Sequence, residues 1–186
     1  MSAPPCAPAA PAAKPFPAGR AGRLLALAAL AVLLPAALFA ARVIPADLAH
    51  FRAEKALALY RALRDREDPA AAEALATARL QSTRALSLLP DEPRYHFVAA
   101  QVAALTGWAR WRAEGNRGAL VAGYGEALRH LRRAAELRPT HPWTWALIAE
   151  YKAALGARDE EWYRARERAL LLGGGNVRLV ERMLAL

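Results

Sequence analysis

The chain has 186 residues, 55% of them hydrophobic and 23% charged, with a formal net charge of +9. Its single cysteine, Cys6, excludes an internal disulfide and any cysteine-based metal centre. Alanine, leucine and arginine dominate and no alternating strand pattern is visible, so an all-α fold is expected, with the positive excess spread over solvated helical faces. In chain order, residues 1–23 are rich in proline and alanine and carry no hydrophobic period, so they are predicted to be a disordered tail. The charges of that tail, Lys14, Arg20 and Arg23, are all positive.

Residues 24–41, LLALAALAVLLPAALFAA, form an eighteen-residue run without a charge. At about 1.5 Å per residue this is roughly 27 Å of helix, enough for a hydrocarbon core once Val43 and Ile44 are added. A transmembrane helix over 24–44 is therefore expected, with Arg42 snorkelling to the interface. A retained signal anchor is favoured over a cleaved signal peptide, because cuts after Ala40 or Ala41 would place Leu38 or Phe39 three residues back, where small side chains are needed. The positive tail then stays in the cytoplasm, which puts residues 46–186 outside it.

Beyond the span, residues 46–63 read as a helix offering Leu48, Phe51, Leu57, Leu59, Tyr60 and Leu63 as apolar surface. Residues 69–89 form the next helix, whose alanines at 71, 78 and 85 are spaced for close packing. Helices are expected over 93–111 and 118–137, then over 142–171 as a hairpin entered at Pro139 and Pro142 and turned at Gly156, with Asp159 capping its second helix. A terminal helix over 176–186 should cover the last hairpin with Val177, Val180 and Leu184.

The hairpins repeat. Shifted by 49 residues, Arg84, Ala85, Leu88, Pro90, Pro93, Ala100, Ala104 and Gly107 fall on identical residues at Arg133, Ala134, Leu137, Pro139, Pro142, Ala149, Ala153 and Gly156. With small residues where helices meet and proline after the second helix, the pattern resembles the tetratricopeptide repeat (TPR), whose period is about 34. The extra length then lies at 108–125, as an enlarged turn. This resemblance implies an all-α, TPR-like helical-hairpin solenoid behind one N-terminal transmembrane helix. It also implies a concave groove lined by the first helix of each hairpin, which the register places at Arg94, Phe97 and Gln101, then Trp143, Ala146 and Glu150, with Trp145 buried.

The enlarged turn gathers Trp108, Trp111 and Tyr124 with Arg110, Arg112 and Arg117 among five glycines counted from Gly107 to Gly125. Aromatic faces beside arginine forks suit an acidic glycan or a partner chain, while helical spacing alone would make Trp108 and Trp111 a continuation of a buried stripe. Arg129, Arg132 and Arg133 read as a solvated face. The four histidines, His50, His96, His130 and His141, do not share metal-ligand spacing on one helix, and no phosphate-binding loop or acid–base constellation can be named. No cofactor, metal, nucleic acid or catalytic residue is therefore expected.

Arg138-Pro139-Thr140, Pro142-Trp143-Thr144-Trp145-Ala146, Lys152, and Asp159-Glu160-Glu161 leading into Ala169-Leu170 resemble the VpsP family of bacterial polysaccharide biosynthesis proteins. That resemblance implies a non-catalytic scaffold on the bacterial inner membrane, its C-terminal domain periplasmic, holding proteins of exopolysaccharide assembly or export. A general periplasmic assembly scaffold, for cytochrome or envelope biogenesis, is the alternative binding role. A glycan-modifying enzyme is the competing class and would need a carboxylate pair.

Overall fold

The computed structural model describes residues 19–66 and 68–186, and most of the predicted tail, residues 1–18, lies outside them. The described residues form seven α-helices and no strand: α1 (Arg20–Leu63), α2 (Ala70–Leu88), α3 (Pro93–Glu114), α4 (Arg117–Leu137), α5 (Pro142–Ala154), α6 (Glu160–Gly173) and α7 (Val177–Leu184). A short 3₁₀ turn, Arg64–Arg66, follows α1. The protein is all-helical, as expected, and its helix α1 is long and apolar enough to cross a membrane. The last residues of the predicted tail are helical, because α1 begins at Arg20, and α1 also takes in the helix predicted over 46–63. The chain divides into two units, Met1–Ala40 and Ala41–Leu186.

In the first unit the helix is apolar on every side and covered on none. Leu24, Val32, Leu33 and Phe39 are each about two-thirds exposed. A helix hydrophobic over its whole girth needs apolar surroundings, and the described residues of this unit supply none.

In the second unit each helix from α2 onward packs on the next in the chain, and α7 also touches α5. The buried side of α1 is built from Ala46, Ala49, Ala53, Leu57 and Tyr60, which meet Ala71, Ala74, Ala78 and Ala85 of α2 and Tyr95, Val98 and Val102 of α3. The alanines at 71, 78 and 85 are thus buried as their spacing predicted. Leu48, Phe51 and Leu59, expected on the buried side, are instead about half exposed. Small side chains at 46, 49 and 53 permit a close approach of α1 to its neighbours, and Leu48, Phe51 and Leu59 are turned outward.

The centre of the core is α5, with Ala146, Leu147, Ile148 and Ala149 at 8% exposure or less, packed on Leu128 and Leu131 of α4 and on Trp162, Ala165 and Ala169 of α6. Ala134 and Ala149, expected at helix contacts, are 1% and 0% exposed. Gly156 closes α5 at a positive φ of 74°, the backbone region that glycine enters without steric cost. Asp159 caps α6 by accepting from the Trp162 amide at 3.1 Å, as its position predicted. Trp145, expected to be buried, is only half so. Its indole N–H donates to the Pro139 carbonyl at 2.8 Å, and Arg168 lies 4.7 Å over its ring.

Two expectations need correction. The segment 108–125 is not a loop: α3 and α4 are 22 and 21 residues long against 13 and 14 for α5 and α6, so the extra length became helix, leaving only Gly115 and Asn116 as the turn. Gly107, matched to the turn residue Gly156, accordingly sits inside α3, where a Cβ would come within 2.8 Å of the Gly123 Cα of α4. The terminal helix also presents a different face. Leu179 and Met183 are fully buried, whereas Val177 and Leu184 are 69% and 67% exposed. Asn176 accepts from the Leu179 amide at 3.2 Å, and this cap rotates α7 so that Leu179 and Met183, four apart, form the inward stripe.

A charged clamp joins α4, α5 and α6. Lys152, its side chain 7% exposed, lies 2.7 Å from Asp159 and 2.6 Å from Glu161. Arg132 donates to both oxygens of Glu161, at 2.7 and 2.9 Å. The Arg132 fork, with Lys152 added, holds the Glu161 carboxyl at about 2, below its ordinary 4.5. Arg133 pairs with Asp91 and Glu136, so two of the three arginines expected on a solvated face are exposed but paired.

Candidate binding cavity

A cavity of about 700 Å³ opens within the second unit between the C-terminal end of α1, α3, α5 and α7. Its size lies in the range of ligand-binding clefts. From α3 it is lined by Phe97, Gln101, Leu105 and Trp108, and from α5 by Trp143, Leu147 and Tyr151. Each set recurs at three to four residues, the spacing of one helical stripe. Tyr124 of α4 enters from the side and stacks on Tyr151 with ring centroids 5.1 Å apart. His141, at the start of α5, meets Phe97 edge-on and is 2.9 Å from the Thr144 hydroxyl.

Three arginines face the same space: Arg61, Arg64 and Arg182. Arg64 lies 5.6 Å over the Trp108 ring and 3.1 Å from Asp65. Arg182 is paired with Glu150, which sits half-buried beside the cavity. Arg61 donates to the neutral Gln101 amide and, among the described residues, meets no carboxylate. Burial, and then the like charges of Arg64 and Arg182, push the Arg61 guanidinium below its ordinary range. Burial pushes the Tyr151 phenol up, so it stays a neutral hydroxyl.

The predicted groove residues divide accordingly. Phe97, Gln101 and Trp143 line the cavity. Ala146 is fully buried in the core and cannot touch a ligand. Glu150 takes part only through its pair with Arg182. Arg94 lies away from the cavity, held by Glu92 at 2.8 Å and Asp47 at 3.5 Å. Trp143 is half-buried, packed against the core on one side while lining the cavity with the other.

Of the residues assigned to the enlarged turn, Trp108 and Tyr124 join the same cavity. Arg112 lies 5.4 Å from the Trp108 ring, and Trp108, Arg110 and Arg112 together line a second cavity of about 610 Å³. Arg110 pairs weakly with Glu114 at 3.7 Å, and Trp111 and Arg117 are exposed near the α3–α4 turn. The six therefore do not form one site. Missed were Arg61, Arg64, Tyr151 and Arg182. The signal available was the stripe Trp143, Leu147, Tyr151; the register chosen from Trp145 as buried gave 143, 146, 150 instead.

The histidines are also brought together in part. His96 Nδ1 and His130 Nδ1 are 3.1 Å apart, and His96 Nε2 is 2.7 Å from the Pro90 carbonyl. Neutral rings satisfy all of these contacts if His96 donates through Nε2 and accepts from His130. Among the described residues no three His, Cys, Asp or Glu side chains form a group that could hold a metal ion. Burial lowers His50, His130 and His141 below their ordinary 6.5, and for His130 the nearby His96 adds to it. The unfolded chain then binds protons more readily than the folded one, so this stability is complete above about pH 6.5 and is lost as pH falls through the lowered values. Melting of the full chain in detergent should therefore shift down between pH 7 and pH 5, with a shallower slope in His130→Gln. A melting temperature that is flat over this range would contradict the assignment.

The fold and the cavity define an all-helical protein with one long apolar N-terminal helix and an arginine- and aromatic-lined cleft. No family model matches the chain, and no curated protein matches it at a significant level.

Proposed function

We propose that the protein is a membrane-anchored, non-catalytic scaffold whose helical domain holds partner proteins of an exopolysaccharide assembly or export system in the bacterial periplasm. The observation that carries a binding role is the cavity itself, where an apolar and aromatic lining meets three arginines, of which Arg61 has no carboxylate partner among the described residues. The exposed apolar part of α1 supports a membrane anchor, and Lys14, Arg20 and Arg23 before it support an orientation with the domain outside the cytoplasm. A TPR-like solenoid is supported by helices that pack in chain order and by the buried alanines 134 and 149. The polysaccharide context rests on the sequence resemblance to the VpsP family.

Trp143 is the side chain expected to anchor the partner, since aromatic residues at the centre of a cleft dominate interface energetics. The test is Trp143→Ala in a polymer-producing host, with a phosphatase fused after Leu186 to report topology. Lost polymer output at unchanged protein level and melting temperature, with an active phosphatase, is the expected result. Unchanged output would overturn the docking role, and an inactive phosphatase the orientation.

A further inference from the structure

We infer that the cavity receives a carboxylate-bearing peptide segment of its partner, with an apolar side chain beside the carboxylate. The inference rests on the scaffold reading and specifies what the partner presents.

The first observation is charge. Arg61, Arg64 and Arg182 face one cleft whose lining contains no Asp or Glu; among the described residues Glu150, beside the cleft, holds Arg182 through both its oxygens, and Asp65 meets Arg64. Asp65 meets Arg64 at 3.1 Å from an exposed position, 71% open to solvent, where screening leaves little of the attraction. Among the described residues Arg61 donates to the amide oxygen of Gln101 and to no carboxylate. Arg61 is thus left half-buried beside the like charges of Arg64 and Arg182, and an anion compensates it while a neutral ligand does not.

The second observation is the balance of donors and acceptors, which decides between kinds of anion. The three guanidiniums and the indoles of Trp108 and Trp143 can only donate. The Gln101 oxygen is occupied by Arg61, and one His141 nitrogen is engaged with Thr144. The acceptors left over are mainly the two phenol oxygens of Tyr124 and Tyr151. A sugar acid brings several hydroxyl donors per ring, and this lining would leave most of them unanswered at a cost for each one buried. A peptide brings carboxylate and carbonyl acceptors in excess. The acidic glycan expected for the aromatic and arginine residues of 108–125 is therefore disfavoured at this cavity. Third, Leu105, Leu147 and the Trp143 ring add apolar surface to the same lining, which suits an aliphatic side chain next to the carboxylate.

The experiment uses the full chain in detergent micelles and fluorescence anisotropy of a labelled Glu-Glu-Leu-Glu-Leu-Glu peptide. Saturable binding is expected, weakened by added salt. The peptide with glutamine in place of glutamate should bind at least tenfold more weakly, as should Arg61→Gln with the original peptide. If Arg61→Gln melts early, Arg64→Gln supplies the same comparison. Absence of saturable binding, equal binding of the glutamine peptide, or unchanged binding in the folded arginine variant would overturn the inference. Trigalacturonate or inorganic phosphate displacing the labelled peptide at lower concentration than unlabelled peptide would also overturn it, in favour of a sugar acid or a phosphate. The two levels of failure are separable: equal binding of both peptides with polymer output still lost in Trp143→Ala removes only the acidic partner, whereas unchanged output removes the docking surface.

Discussion

Gly123→Leu is expected to lower the melting temperature of the full chain by roughly 10 °C, a loss of about 3 kcal/mol or more at the upper end of overpacking costs. A Cβ on Gly123 would lie 2.6 Å from the Gly107 Cα and 2.8 Å from the Ala103 carbonyl oxygen. Both are backbone atoms of α3, so no side chain can swing aside and the two helices must separate. The control is Gly125→Ala, two residues on, where nothing lies within 4 Å of an added Cβ. There alanine should be neutral or stabilise by about 0.5–1 kcal/mol, since glycine inside a helix is costly. Equal melting of the two variants would refute the close approach. The contact also bears on binding, because Trp108 and Tyr124 immediately follow Gly107 and Gly123. Forcing α3 from α4 should displace both aromatic side chains and weaken peptide binding even where the protein still folds.

The second large effect is expected at Glu161, which serves both Lys152 and Arg132. Its side chain is 35% exposed and that of Lys152 7%, so the clamp is neither a free surface pair nor a sealed one. Exposed pairs contribute about 0–1 kcal/mol and breaking a buried pair costs about 3–5 kcal/mol; Glu161→Gln should fall between, at about 2 kcal/mol near pH 7. Glu160→Gln, which removes the partner of Arg164 at 85% exposure, should cost less than about 0.5 kcal/mol. Because the Glu161 carboxyl is held low, the native advantage is complete above about 4.5 and is lost as pH falls towards about 2. Chemical denaturation at pH 7 and pH 3 checks both size and direction. A Glu161→Gln cost no larger than that of Glu160→Gln would show that the clamp contributes nothing beyond solvated charges.

Helix positions were largely legible because their punctuation is local: Pro93 and Pro142 at helix starts, Asp159 as a cap, Gly156 as a stop. What escaped depended on rotation about the helix axis. In α5 the run Ala146, Leu147, Ile148, Ala149 is apolar on adjacent faces, so periodicity could not decide whether 143, 146, 150 or 143, 147, 151 lines the cleft. The same ambiguity turned Leu48 and Phe51 outward on α1 and Val177 outward on α7. Glycine was read as punctuation, yet Gly107 and Gly123 are contact residues, and only the paired helix distinguishes the two uses. Arg61 and Arg182, 121 positions apart in sequence, reach one cleft through tertiary packing that no local pattern records.

The two-residue turn at Gly115 and Asn116 has a consequence for how the domain comes to exist. Glycine there adopts a φ of 67° and Asn116 caps α4 by accepting from the Gly118 amide at 2.9 Å, so α3 and α4 can meet at almost no loop-closure cost. Most later helices add to the neighbour just made, giving a topology of low contact order with α3–α4 as its natural nucleus. The contacts made by α1 are of longer range, since the hydrogen bond from Tyr95 to Asp47 spans 48 residues. Because α1 precedes α3 in the chain, its buried face must wait through the synthesis of α2 and α3 before it is fully covered.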